Sequence, residues 1–81
     1  MKTFYQWLTS KENRNRPRGG EHGIVGDLAR DAYGDEGFIT HAHGIRVLRE
    51  YLEGIGACSG CLKALDIAYR EFKEYRRREC E

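Results

Sequence analysis

The stretch that decides the fold covers residues 59–75 and reads SGCLKALDIAYREFKEY. Its apolar side chains return every three or four residues over four turns, which places them on one face of a helix. These positions are Leu62, Leu65, Ala68, Tyr69, Phe72 and Tyr75. Ser59 supplies the hydroxyl that is typical of a helix N-cap. We therefore predict a long amphipathic last helix that begins near Ser59.

Three shorter helical patterns precede this segment. Thr3 and Gln6 have the spacing of a capping box, and the helix that they open has an apolar face formed by residues 4–8. Residues 24–33 and 45–52 repeat the helical period, and Gly34, Gly54 and Gly56 are placed to end these two helices. No stretch alternates as a strand would. The sequence predicts one all-α domain over residues 1–81, a small bundle of four to five short helices.

The apolar skeleton resembles a known family. It consists of FYQWL at residues 4–8, LARDAYGDEGF at residues 28–38, the Leu48-x-x-Tyr51-Leu52 spacing and the apolar face of the last helix. This order resembles the YozE SAM-like family, small bacterial helical proteins of unknown function, over roughly residues 3–75. The resemblance implies a SAM-like bundle. Folds of that shape elsewhere serve protein–protein contacts or nucleic-acid binding, which is an analogy at the level of the fold.

Size and composition favour binding over catalysis. A chain of 81 residues has room for one core and little room for a deep pocket, so we expect neither an enzyme nor a small-molecule substrate. No apolar run is long enough to cross a membrane, and the N-terminus lacks a signal-peptide pattern. Three cysteines, an odd number, favour reduced thiols. We expect a cytoplasmic protein, and its small size suggests a bacterial or phage source.

The net charge of +1 conceals an uneven distribution. Residues 1–20 carry five bases and one acid, whereas residues 21–54 carry three bases and seven acids. Residues 55–81 carry six bases and five acids. The chain thus has a basic arm, an acidic middle and an Arg-rich end.

The basic arm contains the most distinctive polar segment. Residues 11–23 hold no large apolar side chain, the only proline and a Gly-Gly pair, so we predict a basic, glycine-containing loop at about 11–23. Arginine can bind phosphate bidentately, and glycine allows a backbone to approach it. Positions 70, 73 and 77 share one face of the last helix and add a second basic group. The candidate nucleic-acid-binding residues are Lys11, Arg14, Arg16, Arg18, Arg70, Lys73 and Arg77. Equally, these bases could form solvated surface pairs with neighbouring acids.

A metal site is the second candidate. Cys58 and Cys61 form a C-x-x-C pair, and His41 and His43 could complete a tetrahedral zinc site. One such pair also suits ordinary packing in a tight turn, and we expect no cofactor unless structural zinc binds here. A thiol in the first turn of a helix could also take part in redox chemistry, but no βαβ pattern surrounds it.

Two functions from different classes remain. One is a non-catalytic module that contacts nucleic acid through the basic loop. The other is a protein-interaction adaptor, in self-association or with another protein, that uses the acidic middle and the Arg-rich last helix. Salt-sensitive affinity for DNA or RNA would favour the first, and association without such affinity the second.

Overall fold

The computed structural model describes residues 2–38, 44–57 and 59–80. Within these ranges the chain forms five helices and no strand, which confirms the predicted small all-α bundle. The helices are α1 (Phe4–Leu8), α2 (Lys11–Arg14), α3 (Gly20–Gly34), α4 (Ile45–Gly54) and α5 (Ser59–Cys80). Thr40, the expected N-cap of the third predicted helix, lies outside the described residues, and Gly44 occupies the N-cap position of α4.

The last helix organises the bundle, since α1, α3 and α4 all pack against α5. Its apolar positions contribute Leu65, Ala68 and Phe72 to the core, together with Ala64 and Ile67. The other helices bury the side chains that their helical spacing placed on one face. These are Phe4 and Leu8 of α1, Val25, Leu28, Ala29 and Ala32 of α3, and Leu48 and Leu52 of α4.

The first helix is short but well anchored. The Thr3 hydroxyl accepts a hydrogen bond from the Gln6 N–H, and the Gln6 side chain accepts one from the Thr3 N–H, so the predicted capping box is present. Phe4 then meets Phe72 edge-to-face at 5.4 Å between ring centroids, and Trp7 lies 6.4 Å from Tyr75. These aromatic contacts tie the start of the chain to the second half of α5.

Glycine ends α4 through a left-handed residue, as predicted, but α3 ends differently. After α4, Gly56 adopts φ +78°, and the N–H groups of Gly56 and Ala57 bond back to the carbonyls of Glu53 and Leu52. This arrangement is a Schellman motif, which requires the left-handed conformation that glycine adopts easily. Helix α3 also ends at Gly34, but Gly34 does not have a positive φ.

The predicted loop at 11–23 is shorter than the sequence indicated. Residues 11–14 form helix α2, and α3 begins at Gly20 rather than at Ile24, so the irregular segment covers residues 15–19. Glycine is costly inside a helix, which is why the sequence favoured a loop here. The first turns of α3 nevertheless contain Gly23 and Gly26, and both are buried against the preceding segment.

Candidate nucleic-acid interface

The segment from Asn13 to Arg18, named here the basic strap, runs along α3 and is fixed by one arginine. The Arg16 guanidinium donates to both oxygens of the Glu71 carboxylate, at 2.8 and 3.3 Å, and its Nε donates to Asn13 Oδ1 at 3.0 Å. It also donates to the carbonyl of His22 at 3.4 Å. Only 8% of the Arg16 side chain is exposed. Arg16 therefore joins the strap to α3 and α5 and is not a surface group.

Asn13 extends this network to the first helix. It is a buried polar residue, and its side-chain amide donates to the carbonyl of Trp7 at 2.7 Å. Its amide oxygen is the acceptor for Arg16. A buried amide is stable only when both ends find partners, and here both do. The contact ties the strap to the end of α1.

Two glycines of α3 make room for the strap. A Cβ atom on Gly23 would lie 2.9 Å from the backbone carbon of Arg18, and one on Gly26 would lie 2.9 Å from Cβ of Arg16. Both separations are shorter than van der Waals contact. Glycine at these positions lets the backbone of the strap lie directly on α3, which offsets the low helix propensity of glycine.

Arg30 holds the strap from the side of α3. Its guanidinium donates to the carbonyl of Arg14 at 2.8 Å and lies 3.5 Å from the carbonyl of Arg16. The same guanidinium forms an ion pair with Asp27. Arg14 donates in turn to the carbonyl of Thr9 at 2.8 Å, and its guanidinium lies 4.1 Å from the centre of the exposed Tyr33 ring. Arg14 is half-buried, so it presents only part of its charge to solvent.

The remaining bases of the arm stay exposed. Lys11 at the start of α2 and Arg18 at the end of the strap are both exposed, and neither pairs with another residue in the ranges that the structure describes. The backbone of Arg18 lies against the first turn of α3 through Gly23. Backbone packing therefore positions Arg18, and its guanidinium makes no ion pair in the described ranges.

The basic face of α5 reaches the same turn of α3. Arg70 lies 3.9 Å from Glu21, which is in that first turn, and both side chains are about two-thirds exposed. Lys73 lies one turn further along α5, with its ammonium 5.5 Å from the centre of the Tyr69 ring. Arg77 is exposed in the following turn. The backbone of Arg18 and the side chain of Arg70, which are far apart in sequence, thus both lie against the first turn of α3.

Another acid of the acidic middle, Asp35 at the end of α3, contacts α4. Tyr51 of α4 donates its hydroxyl hydrogen to the Asp35 carboxylate at 2.6 Å, and the same carboxylate accepts from the N–H of Gly37. The hydrogen bond to Asp35, helped by burial and by the negative charge, raises the pKa of Tyr51 above its usual 10.0. This contact ties the segment after α3 to α4.

Of the four proposed zinc ligands, the structure describes one. Cys58, His41 and His43 lie outside the described residues, and only Cys61 falls within them, near the start of α5. In the ranges 2–38, 44–57 and 59–80, no group of three or more His, Cys, Asp or Glu side chains could hold a metal ion. The zinc site therefore stays a prediction.

Among the described helices, none is both long and apolar enough to cross a membrane.

A family model described as the YozE SAM-like fold matches residues 3–74 of the chain. The chain belongs to the YozE SAM-like family. The match begins at the cap of α1 and ends within the second half of α5, so it spans every helix of the bundle. No curated protein and no solved structure matches the chain.

The sequence reasoning missed the residues that hold the strap. It placed Arg16 among phosphate-binding residues, whereas the structure commits its guanidinium to Glu71, Asn13 and His22. The overlooked signal was the pair Gly23 and Gly26, three residues apart in a helical pattern. Glycines at that spacing lie on one face of a helix and indicate that another backbone packs there.

Proposed function

We propose that this YozE SAM-like protein is a non-catalytic binding module that contacts nucleic-acid phosphates with the exposed bases around the first turn of α3. The observation that carries the proposal is that the backbone of Arg18, from the strap, and the side chain of Arg70, from α5, both lie against that turn. Lys11, Lys73 and Arg77 are exposed bases that extend the basic surface, and Arg14 is half-buried. Arg16 is not part of it, because its guanidinium is buried and bound to Glu71, Asn13 and the His22 carbonyl.

Physical chemistry favours phosphate as the ligand of these bases. Exposed Arg and Lys side chains are flexible cations, and their pairing with neighbouring acids in water is weak. A polyanion such as duplex DNA attracts several of them at once and releases its condensed counterions. The only acid that pairs with this surface in the described ranges is Glu21, at the long distance of 3.9 Å from Arg70. Such a pair exchanges easily for a phosphate.

The test is fluorescence anisotropy of a labelled random DNA duplex, titrated with the protein at low and physiological salt. With about four phosphates contacted, log K should fall against log salt with a slope of about −3.6. The same titration with a labelled single-stranded RNA examines the other nucleic acid. If neither probe binds at low salt, the proposal is wrong.

Matched variants locate the surface. Replacing Arg18 and Arg70 together by Ala should weaken binding and reduce the slope by about 2, because two phosphate contacts are lost. Arg46→Ala is the control, since it removes one exposed positive charge from α4, which packs on α5 and not on α3. An equal loss per removed charge in the two variants would show that net charge, and not this surface, determines binding.

The adaptor is the second candidate, and the separation of charge favours it. Acids concentrate in α3, α4 and the segment between them, whereas exposed bases concentrate in α2, the strap and the end of α5. Two copies could therefore associate through opposite ends. Light scattering at low and high salt would detect this association.

In either role we propose that the protein works in the cytoplasm of a bacterium, where its cysteines stay reduced.

A further inference from the structure

An apolar cleft lies where the end of α3, the end of α4 and the start of α5 meet. Its volume is about 250 Å³. The apolar side chains that line it are Leu28, Ala32, Phe38, Leu52, Ile55 and Ala57. A second hollow of about 200 Å³ adjoins it and shares Leu28, Asp31 and Cys61 with it. Ile55 is 57% exposed at this site, so its apolar surface is accessible to a partner.

The edge of the cleft is acidic. Asp35 and Asp31 line the larger hollow, and Asp27 and Asp31 line the smaller one. No basic residue is among the described residues that line either hollow. Two of these carboxylates have partners already, because Asp35 accepts from Tyr51 and Asp27 pairs with Arg30.

Asp31 is the carboxylate that remains available. It is exposed, it lines both hollows, and it forms no hydrogen bond or ion pair with another residue in the described part of the chain. A base set against Asp31 would therefore meet a negative charge that no other described side chain neutralises. The same charge repels nucleic acid and anionic lipid from this cleft.

We propose that this acid-edged cleft binds an amphipathic helical segment of a partner protein. The segment inserts one large aliphatic side chain beside Phe38, Leu52 and Ile55, and it places a Lys or Arg against Asp31. Small-molecule pockets usually measure about 300–1,000 Å³, so this cleft suits one or two side chains better than a compact ligand. An apolar floor with charged edges is the arrangement that accepts a helix in a groove. The site is independent of phosphate contact, because none of the proposed phosphate-binding bases lines it.

The test uses a defined probe and the full chain. A synthetic 12-residue peptide with Leu at positions 2, 5 and 9 and Arg at positions 3, 6 and 10 is titrated into the ¹⁵N-labelled protein, and amide shifts are followed by NMR. Two peptides serve as controls, one with Glu in place of each Arg and one with the same residues in shuffled order. We expect shifts confined to the ends of α3 and α4 and the start of α5. The control peptides should bind at least about 5-fold more weakly.

Variants at exposed positions keep the test independent of folding. Ile55→Asp should reduce affinity for the Leu/Arg peptide by at least about 10-fold, since it places a charge against the inserted side chain. Asp31→Asn should reduce it by about 2- to 5-fold, as expected for one partly exposed ion pair. Val47→Asp is the matched control, because Val47 is 44% exposed on α4 and does not line the cleft.

Three outcomes would overturn the proposal. The first is an affinity that Ile55→Asp leaves unchanged, and the second is a set of shifts centred on the basic strap. The third is self-association of the peptide-free protein that Ile55→Asp abolishes, which would assign the cleft to a second copy of this chain.

Discussion

Replacing Arg16 by Met tests whether the ion pair with Glu71 holds the basic strap in place. Met keeps most of the apolar stem and removes the guanidinium, which donates to Glu71, Asn13 and the His22 carbonyl. Breaking a fully buried ion pair costs about 3–5 kcal/mol. Arg16 is 8% exposed but Glu71 is 35% exposed, so water recovers part of the loss for Glu71. The remaining cost is about 2–3 kcal/mol, including the donor that Asn13 loses.

The size of this effect relative to the whole domain makes it measurable. Small domains are stable by about 0.05–0.15 kcal/mol per residue, which gives about 4–12 kcal/mol for this chain of 81 residues. The substitution should thus remove roughly a sixth to three-quarters of the free energy of unfolding. The assay is urea denaturation followed by far-UV circular dichroism, with Trp7 fluorescence as a second signal, because Trp7 packs against Phe72 and Tyr75.

The exposed pair of Arg70 and Glu21 is a matched control. Its atoms are 3.9 Å apart and its side chains are 68% and 67% exposed, so Arg70→Met should cost less than about 0.5 kcal/mol. A double-mutant cycle that combines Arg16→Met with Glu71→Gln should give a coupling energy of about 1–3 kcal/mol. The corresponding cycle for Arg70 and Glu21 should give a coupling energy near zero. A coupling below about 0.5 kcal/mol for Arg16 and Glu71 would refute the reasoning.

Three further predictions concern other contacts. Gly23→Ala should cost about 1–3 kcal/mol in urea denaturation, because its Cβ would lie 2.9 Å from the Arg18 backbone, whereas Gly34→Ala, with no atom within 4 Å, should be neutral or stabilising. A similar effect from both would contradict the close contact. Thr3→Ala should cost about 1 kcal/mol by removing the capping box, and an unchanged midpoint would show that the cap is dispensable. Since the pKa of Tyr51 is raised in the folded state, its hydrogen bond stabilises the protein fully below pH 10.0 and the stability falls as pH rises above that value. In a spectrophotometric titration at 295 nm, Tyr51→Phe should remove a phenol that ionises above pH 10.0, and loss of a phenol that ionises at or below that pH would exclude the assignment.

Local patterns explain why much of the fold could be read from the sequence. The capping box needs only Thr3 and Gln6, and the period of the last helix is set within residues 62–75, so neither depends on distant contacts. The Schellman motif after α4 likewise depends on a single glycine, Gly56. These features were predictable because neighbours in sequence decide them.

The candidate site was less predictable, because distant contacts decide it. Arg14, Arg16 and Arg18 look equivalent in sequence, yet one is half-buried, one is buried in an ion pair and one is exposed. The partner of Arg16 is Glu71, 55 residues away. No local pattern identifies such a pair. The sequence reasoning also missed that α3 begins at Gly20, before Gly23 and Gly26. These two glycines of α3 allow contact with the strap, and no local pattern shows that contact.

The aromatic contacts between α1 and α5 have a consequence for how the chain folds. Phe4 and Trp7 meet Phe72 and Tyr75 from the opposite end of the sequence, so closing the core joins residues separated by almost the whole domain. The loop-closure entropy of that step is greater than that of any contact between neighbouring helices. During synthesis the core cannot close until the second half of α5 has left the ribosome, so folding is completed only after almost the entire domain has been made.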